Sequence, residues 1–301
     1  MSRGIIIASG RAVGVAIILA VASPAAAQQR APASSEACQM AGSLVRIPEL
    51  TEGSGVAASQ RSPGRFWAHN DSGEPVLVAL DSRGAVAGRL QVSGAKVEDW
   101  EAIAVGPCPS GTCIYIGDIG DNDAERSTIT IYRVPEPANA SGTVAIADEF
   151  RLSYPDGAHD AETLLVTPKG EIVIVTKGDT GHIALYRLPA DTKPGGRATL
   201  QRMGQPRSAR SASAEERITD GDVSPSGTWV ALRTRSYVAI HRTADLMAGN
   251  WQEAGHVSLQ ALGEPQGEGI AFGDERTIYI VGEGGGNSRP GTFARLTCTF
   301  D

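Results

Sequence analysis

The sequence predicts an all-β fold, a five-bladed β-propeller of four-stranded antiparallel blades that is closed by an N-terminal strand. Five segments of apolar residues align on one another around Val56, Ile103, Leu164, Val223 and Ile270, at spacings of 47, 61, 59 and 47 residues. Turns that contain glycine or proline recur at one position of the repeat, after its first apolar run. A six-bladed ring is the alternative, but it would need about 40 further residues of strand-like pattern.

Each repeat continues with two more alternating runs after the anchor segment. The second runs are 66–71, 114–118, 172–177, 229–233 and 278–283, and the third runs are 76–81, 129–134, 183–188, 237–241 and 292–297. Fourth strands are expected at 88–92, 149–154, 199–203 and 255–260, whereas the fifth repeat has none of its own. We expect the run 43–50 to supply that strand, 205–220 to form a loop or lid, and 243–251 to contain a short helical turn.

The first 27 residues are predicted to be a signal peptide. Arg3 and Arg11 form a basic region before the apolar stretch 12–22, which is too short to span a bilayer, and the small alanines at 25–27 suit cleavage. Residues 28–42 are expected to be a flexible leader and 43–301 the single propeller domain. We therefore expect a secreted or periplasmic monomer without a membrane span.

The mature chain is expected to be acidic. Removal of residues 1–27 takes away two arginines and leaves 25 basic against 34 acidic side chains, a formal charge of −9. Nucleic-acid affinity depends on Lys and Arg that neutralise phosphates, so this balance argues against a nucleic-acid partner. A cation, a neutral small molecule or a protein ligand at one propeller face remains compatible with it.

Four cysteines accompany the predicted export signal, so disulfides are permitted. Cys108 and Cys113 flank a turn and are expected to staple a hairpin. Cys38 would then pair with Cys298 and hold the N-terminal strand on the last blade. Four cysteines allow three pairings, and one reduced pair is the alternative.

Acidic residues recur where a propeller exposes its channel mouth, at the start of the first strand and the end of the second. Glu101, Glu162 and Glu268 occupy one position of the repeat, and the run 117–123 is rich in oxygen ligands. Ca²⁺ accepts six to eight oxygens in flexible geometry. We therefore predict that a divalent cation binds at the channel mouth, with Ca²⁺ as the first candidate. The expected metal ligands are these three glutamates with Asp118 and Asp121. A structural ring of glutamates and turn-forming aspartates is the alternative.

Other residues near the same rim are candidates for catalysis and ligand binding. His69 and His159 are the candidate bases, and Arg233 is expected to stabilise a developing oxyanion. Hydrogen-bonded histidines between blades are the alternative. The remaining candidates are expected to bind a ligand: Glu52, Asn70, Asp71, Lys177, Arg235 and Glu283.

The segments 67–73, 99–104 and 115–122 resemble secreted propellers of the TolB-like, phytase-like and gluconolactonase-like kinds, and the resemblance covers residues 43–301. It implies a propeller fold with Ca²⁺ in the channel and, in the enzymes of these groups, hydrolysis of lactones or phosphomonoesters. Gluconolactonase-like propellers carry a glutamate on the first inner strand, which Glu52 would match. Phytase-like propellers hold phosphate with several basic residues, and this rim offers Lys177, Arg233 and Arg235.

Three functions therefore follow from the sequence. The first is an exported propeller that binds a divalent cation and a ligand at an acidic channel mouth. The second is a metal-dependent hydrolase of esters, lactones or phosphoesters at the same site. The third is a protein-interaction scaffold without a small-molecule site.

Overall fold

The computed structural model describes residues 1, 2, 4, 38–208 and 210–300. Nearly all of the predicted signal peptide and residues 28–37 of the predicted leader lie outside the described residues, so both stay predictions. No helix in the described ranges is long and apolar enough to cross a membrane.

Twenty-three strands and two short helices make up the described propeller. β1 (Cys38–Met40) and β2 (Val45–Ile47) precede blade 1, which consists of β3 (Gly53–Ala58), β4 (Arg65–Asn70), β5 (Val76–Asp81) and β6 (Val86–Ser93). Blade 2 consists of β7 (Trp100–Cys108), β8 (Gly111–Asp118), β9 (Ile129–Pro135) and β11 (Asp148–Ser153), and β10 (Gly142–Ala145) lies in the connection between β9 and β11. Blade 3 consists of β12 (Ala161–Val166), β13 (Ile172–Thr176), β14 (Leu185–Arg187) and β16 (Gln201–Met203), with β15 (Arg197–Thr199) before β16.

The last two blades follow the same plan. Blade 4 consists of β17 (Asp220–Val223), β18 (Trp229–Arg233), β19 (Tyr237–Arg242) and β20 (Glu253–Ser258). Blade 5 consists of β21 (Gln266–Asp274), β22 (Thr277–Glu283) and β23 (Gly291–Cys298). The helix α1 (Thr243–Met247) confirms the predicted helical turn, and a 3₁₀ turn at Gln260–Leu262 leads into β21.

The inner strands of the five sheets form a closed ring. β3 packs on β7, β7 on β12, β12 on β17, β17 on β21, and β21 returns to β3. Five blades are therefore confirmed, and the six-bladed alternative is not needed.

The ring is closed by N-terminal strands: β2 lies in the predicted closing run 43–50, whereas β1 lies at 38–40, within the stretch that was predicted to be a leader. β1 and β2 both pair antiparallel with β23, along its end and its beginning respectively. Cys38 lies opposite Cys298 in this pairing and is bonded to it, and Cys108 is bonded to Cys113 across the β7–β8 turn. Both predicted disulfides are therefore present.

Neighbouring blades also exchange strands at their outer edges. β10 leaves blade 2 and pairs parallel with β6 of blade 1, and β15 leaves blade 3 and pairs parallel with β11 of blade 2. The predicted fourth strand at 199–203 is thus divided, because Thr199 ends β15 and only 201–203 complete blade 3. These added strands cover edges that would otherwise expose unpaired backbone groups.

The continuous apolar runs reflect the position of each blade between two neighbours. In β13, Val173 and Val175 belong to the apolar cluster that includes Val230 of blade 4, whereas Ile174 belongs to the cluster that includes Tyr115 of blade 2. Successive strand residues point to opposite faces, so a blade covered on both faces needs apolar residues at every position. The core therefore lies between the blades and leaves the channel to polar side chains.

Candidate functional site

β-Bulges at the start of four inner strands direct side chains towards the channel. The pairing of the first and second strands is interrupted between Gly53 and Gly55, Trp100 and Ala102, Ala161 and Thr163, and Gly267 and Ile270. A bulge adds one residue to a strand and re-aims its side chain. The extra residues are Ser54, Glu101, Glu162 and Glu268, whereas blade 4 pairs without interruption there and carries Gly221.

Glu101, Glu162 and Glu268 line one cavity of about 310 Å³, together with residues that end the second strands and enter the third. Each of the three side chains is more than nine-tenths buried. Seven of the predicted site residues line this cavity: Asp71, Glu101, Glu162, Lys177, Arg235, Glu268 and Glu283. The repeat position shared by the three glutamates therefore does correspond to a common site.

Lys177 provides the internal counter-charge for one part of the cavity. Its ammonium group contacts the Glu162 carboxylate and lies 3.1 Å from Oδ2 of Asp160, 3.4 Å from Oδ1 of Asn122 and 4.0 Å from Oδ2 of Asp179. Burial opposes its charge, but the neighbouring carboxylates outweigh burial and raise the pKa of Lys177. Lys177 therefore stays protonated and cannot act as an amine nucleophile at neutral pH.

The other carboxylates of the cavity lack such a partner. Among the described residues, no Lys, Arg or His nitrogen lies within 4.0 Å of the carboxylates of Asp71, Glu101, Glu268 or Glu283. Oε2 of Glu101 accepts a hydrogen bond from the hydroxyl of Ser54 at 2.8 Å. Oδ1 of Asp71 is buried and has no hydrogen-bond partner in the described part of the molecule.

Burial of these acids raises their pKa values. Desolvation and then the charge of Glu162 raise the pKa of Glu101 well above its usual value. Desolvation and the neighbouring Glu268 raise the pKa of Glu283 to about 7, and desolvation and Glu52 raise that of Asp71 to about 6. At neutral pH the cavity therefore holds protons on some of its acids or takes up a cation from solution.

This arrangement predicts that Glu283 destabilises the protein at neutral pH when no ligand is added. The folded state keeps a proton on Glu283 from its usual pKa of 4.5 up to about 7, where the unfolded chain has lost it, so folding loses free energy as the pH rises through that range. Glu283→Gln is expected to raise the free energy of unfolding by about 2 kcal/mol at pH 7.5, after allowance for solvent screening. The gain should disappear near pH 5.

Urea denaturation of wild type and variant at both pH values measures this effect. The comparison must be a difference between variants, because burial lowers the pKa of His69 to about 4 and opposes the trend in the same pH range. Glu171→Gln, at an exposed position outside the cavity, is the matched control and is expected to have little effect, because its only ion pair, with Arg187 at 3.8 Å among the described residues, is at the surface. An equal gain for Glu283→Gln at pH 5 and pH 7.5 would contradict the assignment.

His69 lies in the interior and not in the cavity. Its side chain is fully buried, its ring meets Trp100 edge to face at 5.8 Å, and its Nδ1 lies 3.0 Å from the carbonyl oxygen of Asn70. Its Nε2 packs so close to Gly55 that a Cβ there would come within 2.5 Å. The lowered pKa keeps the ring neutral, as expected of a histidine packed between blades.

His159 and Arg233 are also directed away from the cavity. Nε2 of His159 lies 3.0 Å from both Oδ1 of Asp156 and the hydroxyl of Tyr186. Arg233 is fully buried and donates to Oε2 of Glu264 at 2.6 Å, and also to two carbonyl groups of blade 5. Its guanidinium therefore joins blade 4 to blade 5.

The remaining predicted ligands organise loops. The carboxylate of Asp118 accepts backbone N–H groups of 98 and 99 and pairs with Arg126 at 3.0 Å, and that of Asp121 accepts N–H groups of 125 and 126. The side chain of Asn70 forms hydrogen bonds with the backbone of residues 49 and 52, and Oε2 of Glu52 accepts a hydrogen bond from the hydroxyl of Ser72.

Within the described ranges, no group of three or more His, Cys, Asp or Glu side chains is arranged to hold a metal ion.

Six cavity residues were not among the predicted site residues: Asn122, Asp179, Ala214, Arg217, Thr219 and Gln266. Gln266 precedes Glu268 by two residues on one strand, so strand alternation alone could have identified it. Ala214 and Arg217 belong to the loop between β16 and β17, in which the described residues form neither helix nor strand. The sequence repeat carries no signal for such residues.

Comparison with known proteins places the fold. No protein-family model matches the sequence, and no curated protein matches it. The allergen Mala s 1 of Malassezia sympodialis superposes with a TM-score of 0.54 at 12% identity, over 85% of this chain and 96% of that one. The PQQ-bound aldose sugar dehydrogenase of Streptomyces coelicolor gives a TM-score of 0.51 at 11% identity, over 87% and 98%.

The chain is a β-propeller. A gluconolactonase of Xanthomonas campestris is also among the matching structures, with a TM-score of 0.44 at 12% identity over 88% of this chain and 96% of that one. At these identities the likenesses concern the fold alone. The first two agree with the predicted propeller fold.

Proposed function

We propose that this protein is an exported propeller that binds a small cationic ligand in the acidic cavity. The observation that carries the proposal is Glu268, a carboxylate that is 5% exposed, lines the cavity and has no ion-pair partner among the described residues. The buried Glu101 shares this situation in the same cavity, and the partly buried Asp71 and Glu283 also lack an ion-pair partner there. A buried charge without a partner costs several kcal/mol, and a bound cation would remove that cost.

Lys177 suggests what form the cation takes. Its primary ammonium already lies between Asp160 and Glu162 and is held there by oxygen atoms alone. A ligand ammonium between Glu101, Glu268 and Glu283 would repeat this chemistry on the other side of the cavity. Such hydrogen bonds do not require the acids to share one coordination centre.

A divalent cation is the alternative to an amine as the cationic ligand of this cavity. All donor atoms at the cavity acids are hard oxygens, which suits Ca²⁺. Lys177 neutralises Glu162, so Glu101, Glu268, Glu283 and Asp71 are the residues that would hold the ion. Because the acids are not grouped around one point, side chains would have to move, which favours an amine as the ligand.

Thermal melting of wild type and the double variant Glu101→Gln/Glu268→Gln tests the proposal with butylamine and with Ca²⁺ as probes. A probe at 100 times its dissociation constant stabilises the folded state by about 2.7 kcal/mol, which raises the midpoint by roughly 5–10 °C. The double variant is expected to lose most of this rise. Without a probe at pH 7.5 it should melt higher than wild type, because two repelling charges are gone.

The double variant is thus expected to melt higher than wild type without a probe but to gain less from a probe, and this combination separates a binding role from a structural one. Glutamates that only hold the fold together would leave the variant less stable under both conditions. Glu171→Gln should behave as wild type throughout. Absence of any response of wild type to amines, Ca²⁺ and a chelator would remove the proposed function.

A hydrolase is the second candidate, favoured by the pKa values of Glu283 and Asp71. At about 7 and about 6, these two acids exchange protons near neutral pH in one cavity, as a general acid and base would. They would take the roles first assigned to His69 and His159, whose side chains do not line the cavity. A panel of chromogenic esters, lactones and phosphoesters decides it, with Glu283→Gln as the inactive comparison.

Export to the periplasm or the medium is part of the proposal. Two disulfides are supported by the geometry, and such bonds persist in oxidising compartments. The signal peptide and a monomeric state are proposed on the sequence. Recovery of the processed chain from the periplasmic fraction or the medium tests export.

A further inference from the structure

Two guanidinium groups at the acidic cavity have no acidic partner. Arg217 and Arg235 both line it, yet within the described ranges neither comes within 4.0 Å of a carboxylate oxygen. Nε of Arg217 is buried and makes no hydrogen bond to a described residue. In a cavity rich in unpaired carboxylates, two unpaired arginines mean that the charges are separated in space and not mutually neutralised.

Arg217 is held in this position by the loop that carries it. The loop is fixed to blade 3 by the N–H groups of Ala212 and Ile218, which donate to the carbonyl oxygens of Gly178 and Lys177 at 2.6 and 3.1 Å. The N–H of Arg217 donates to the carbonyl oxygen of Ser213, and the Glu216 carboxylate accepts the N–H and hydroxyl of Ser213. Ile218, the next residue, is fully buried. The guanidinium therefore starts from an ordered backbone.

Arg235 comes from a different element, the turn between β18 and β19 of blade 4. Its charge lowers the pKa values of Glu268 and Glu283, so it lies near the acids without pairing with them. The cavity thus combines carboxylates that have no ion-pair partner among the described residues, Glu101, Glu268 and Glu283, with two unpaired guanidinium groups, those of the half-buried Arg217 and the exposed Arg235.

The other cavity residues limit the chemistry of a ligand. No aromatic side chain of the described chain lines the cavity, so a ring has nothing to stack on. The volume of about 310 Å³ is at the lower end of the usual range for ligand pockets. Recognition must therefore depend on charge and hydrogen bonds to a small molecule.

We propose that the ligand is a zwitterion of the amino-acid class, with its protonated amine at Glu101, Glu268 and Glu283 and its acid group at Arg217 and Arg235. This inference rests on the proposed function and adds the anionic half of the ligand. Guanidinium groups form strong charge-assisted hydrogen bonds with carboxylates. Each half of the ligand thus meets groups that have no ion-pair partner among the described residues.

Isothermal titration at pH 7.5 and low salt tests this with ω-amino acids of three lengths: glycine, 4-aminobutyrate and 6-aminohexanoate. Each is compared with the amine and the acid of the same chain length, such as butylamine and butyrate. At least one zwitterion is expected to bind about ten-fold more tightly than its amine, and the acids alone are expected to bind more weakly than the amines.

The double variant Arg217→Gln/Arg235→Gln is expected to reduce the preference for the zwitterion over the amine to about one. Arg83→Gln, at an exposed turn of blade 1, should keep the wild-type preference. Melting curves establish that each variant is folded.

The outcomes distinguish the two proposals. Equal affinity for amine and zwitterion at every length overturns the zwitterion inference and leaves the cationic-ligand function in place. A preference that survives in the double arginine variant overturns the inference as well. Failure of amines, zwitterions and Ca²⁺ alike to bind overturns the proposed function and this inference with it.

Discussion

Replacing Cys38 and Cys298 by serine is expected to lower the free energy of unfolding by about 4–5 kcal/mol. The bond joins residues 260 positions apart, so its loss frees nearly the whole propeller in the unfolded state. The chain-entropy model assigns the largest stabilisation to such long loops. For a domain of this size, the midpoint of thermal unfolding should fall by roughly 10 °C or more.

The second disulfide provides a matched control within the same molecule. Cys108 and Cys113 are only five positions apart, so Cys108→Ser/Cys113→Ser is expected to cost about 2 kcal/mol. Urea denaturation of both double variants gives the comparison. Equal losses for the two pairs would contradict the view that the N-terminal strands act as the closure of the ring.

Lys177→Met is expected to lower the free energy of unfolding by about 3 kcal/mol at pH 7.5. The substitution keeps most of the side-chain volume but leaves the buried acids Asp160 and Glu162 without their counter-charge. Because burial already raises the pKa of Glu162, protonation should relieve part of the loss at pH 5. Denaturation at the two pH values measures both effects.

Two further variants make the Lys177 experiment decisive. Lys169→Met, at an exposed turn, should have little effect. Lys177→Met/Glu162→Gln removes the repelling charge as well and should recover part of the lost stability. A single variant as stable as Lys169→Met would mean that the ammonium does not neutralise these acids.

The fold could be predicted from the sequence because every blade must meet the same physical requirements. Each blade needs both faces apolar, and each inner strand needs a turn before the second strand, so the same pattern returns around Val56, Ile103 and the other anchors. The closing strand followed from the missing fourth strand of the last repeat. The exchanged strands β10 and β15 were not predicted, because an edge strand of three or four residues has almost no pattern of its own.

The site could be predicted only where it follows the repeat. Glu101, Glu162 and Glu268 were identified because they occupy one position of the repeat, and in the structure that position is the extra residue of a bulge. His69 is the penultimate residue of β4 and Arg233 the last residue of β18, but strand alternation turns their side chains into the interface between blades. Arg217 is placed by the tertiary anchoring of a loop, which no local pattern records.

The exchange of strands also gives the ring an unequal distribution of mechanical strength. Blades 1, 2 and 3 are linked by parallel strands at the rim, and blade 5 is linked to the N-terminus by β1 and β2. Among the described residues, blade 4 shares no strand with blade 3 or with blade 5. Inner-strand packing joins both pairs, together with the loop that carries Arg217 at the first seam and the guanidinium of Arg233 at the second. Transient breathing of the ring should therefore concentrate at the two seams of blade 4.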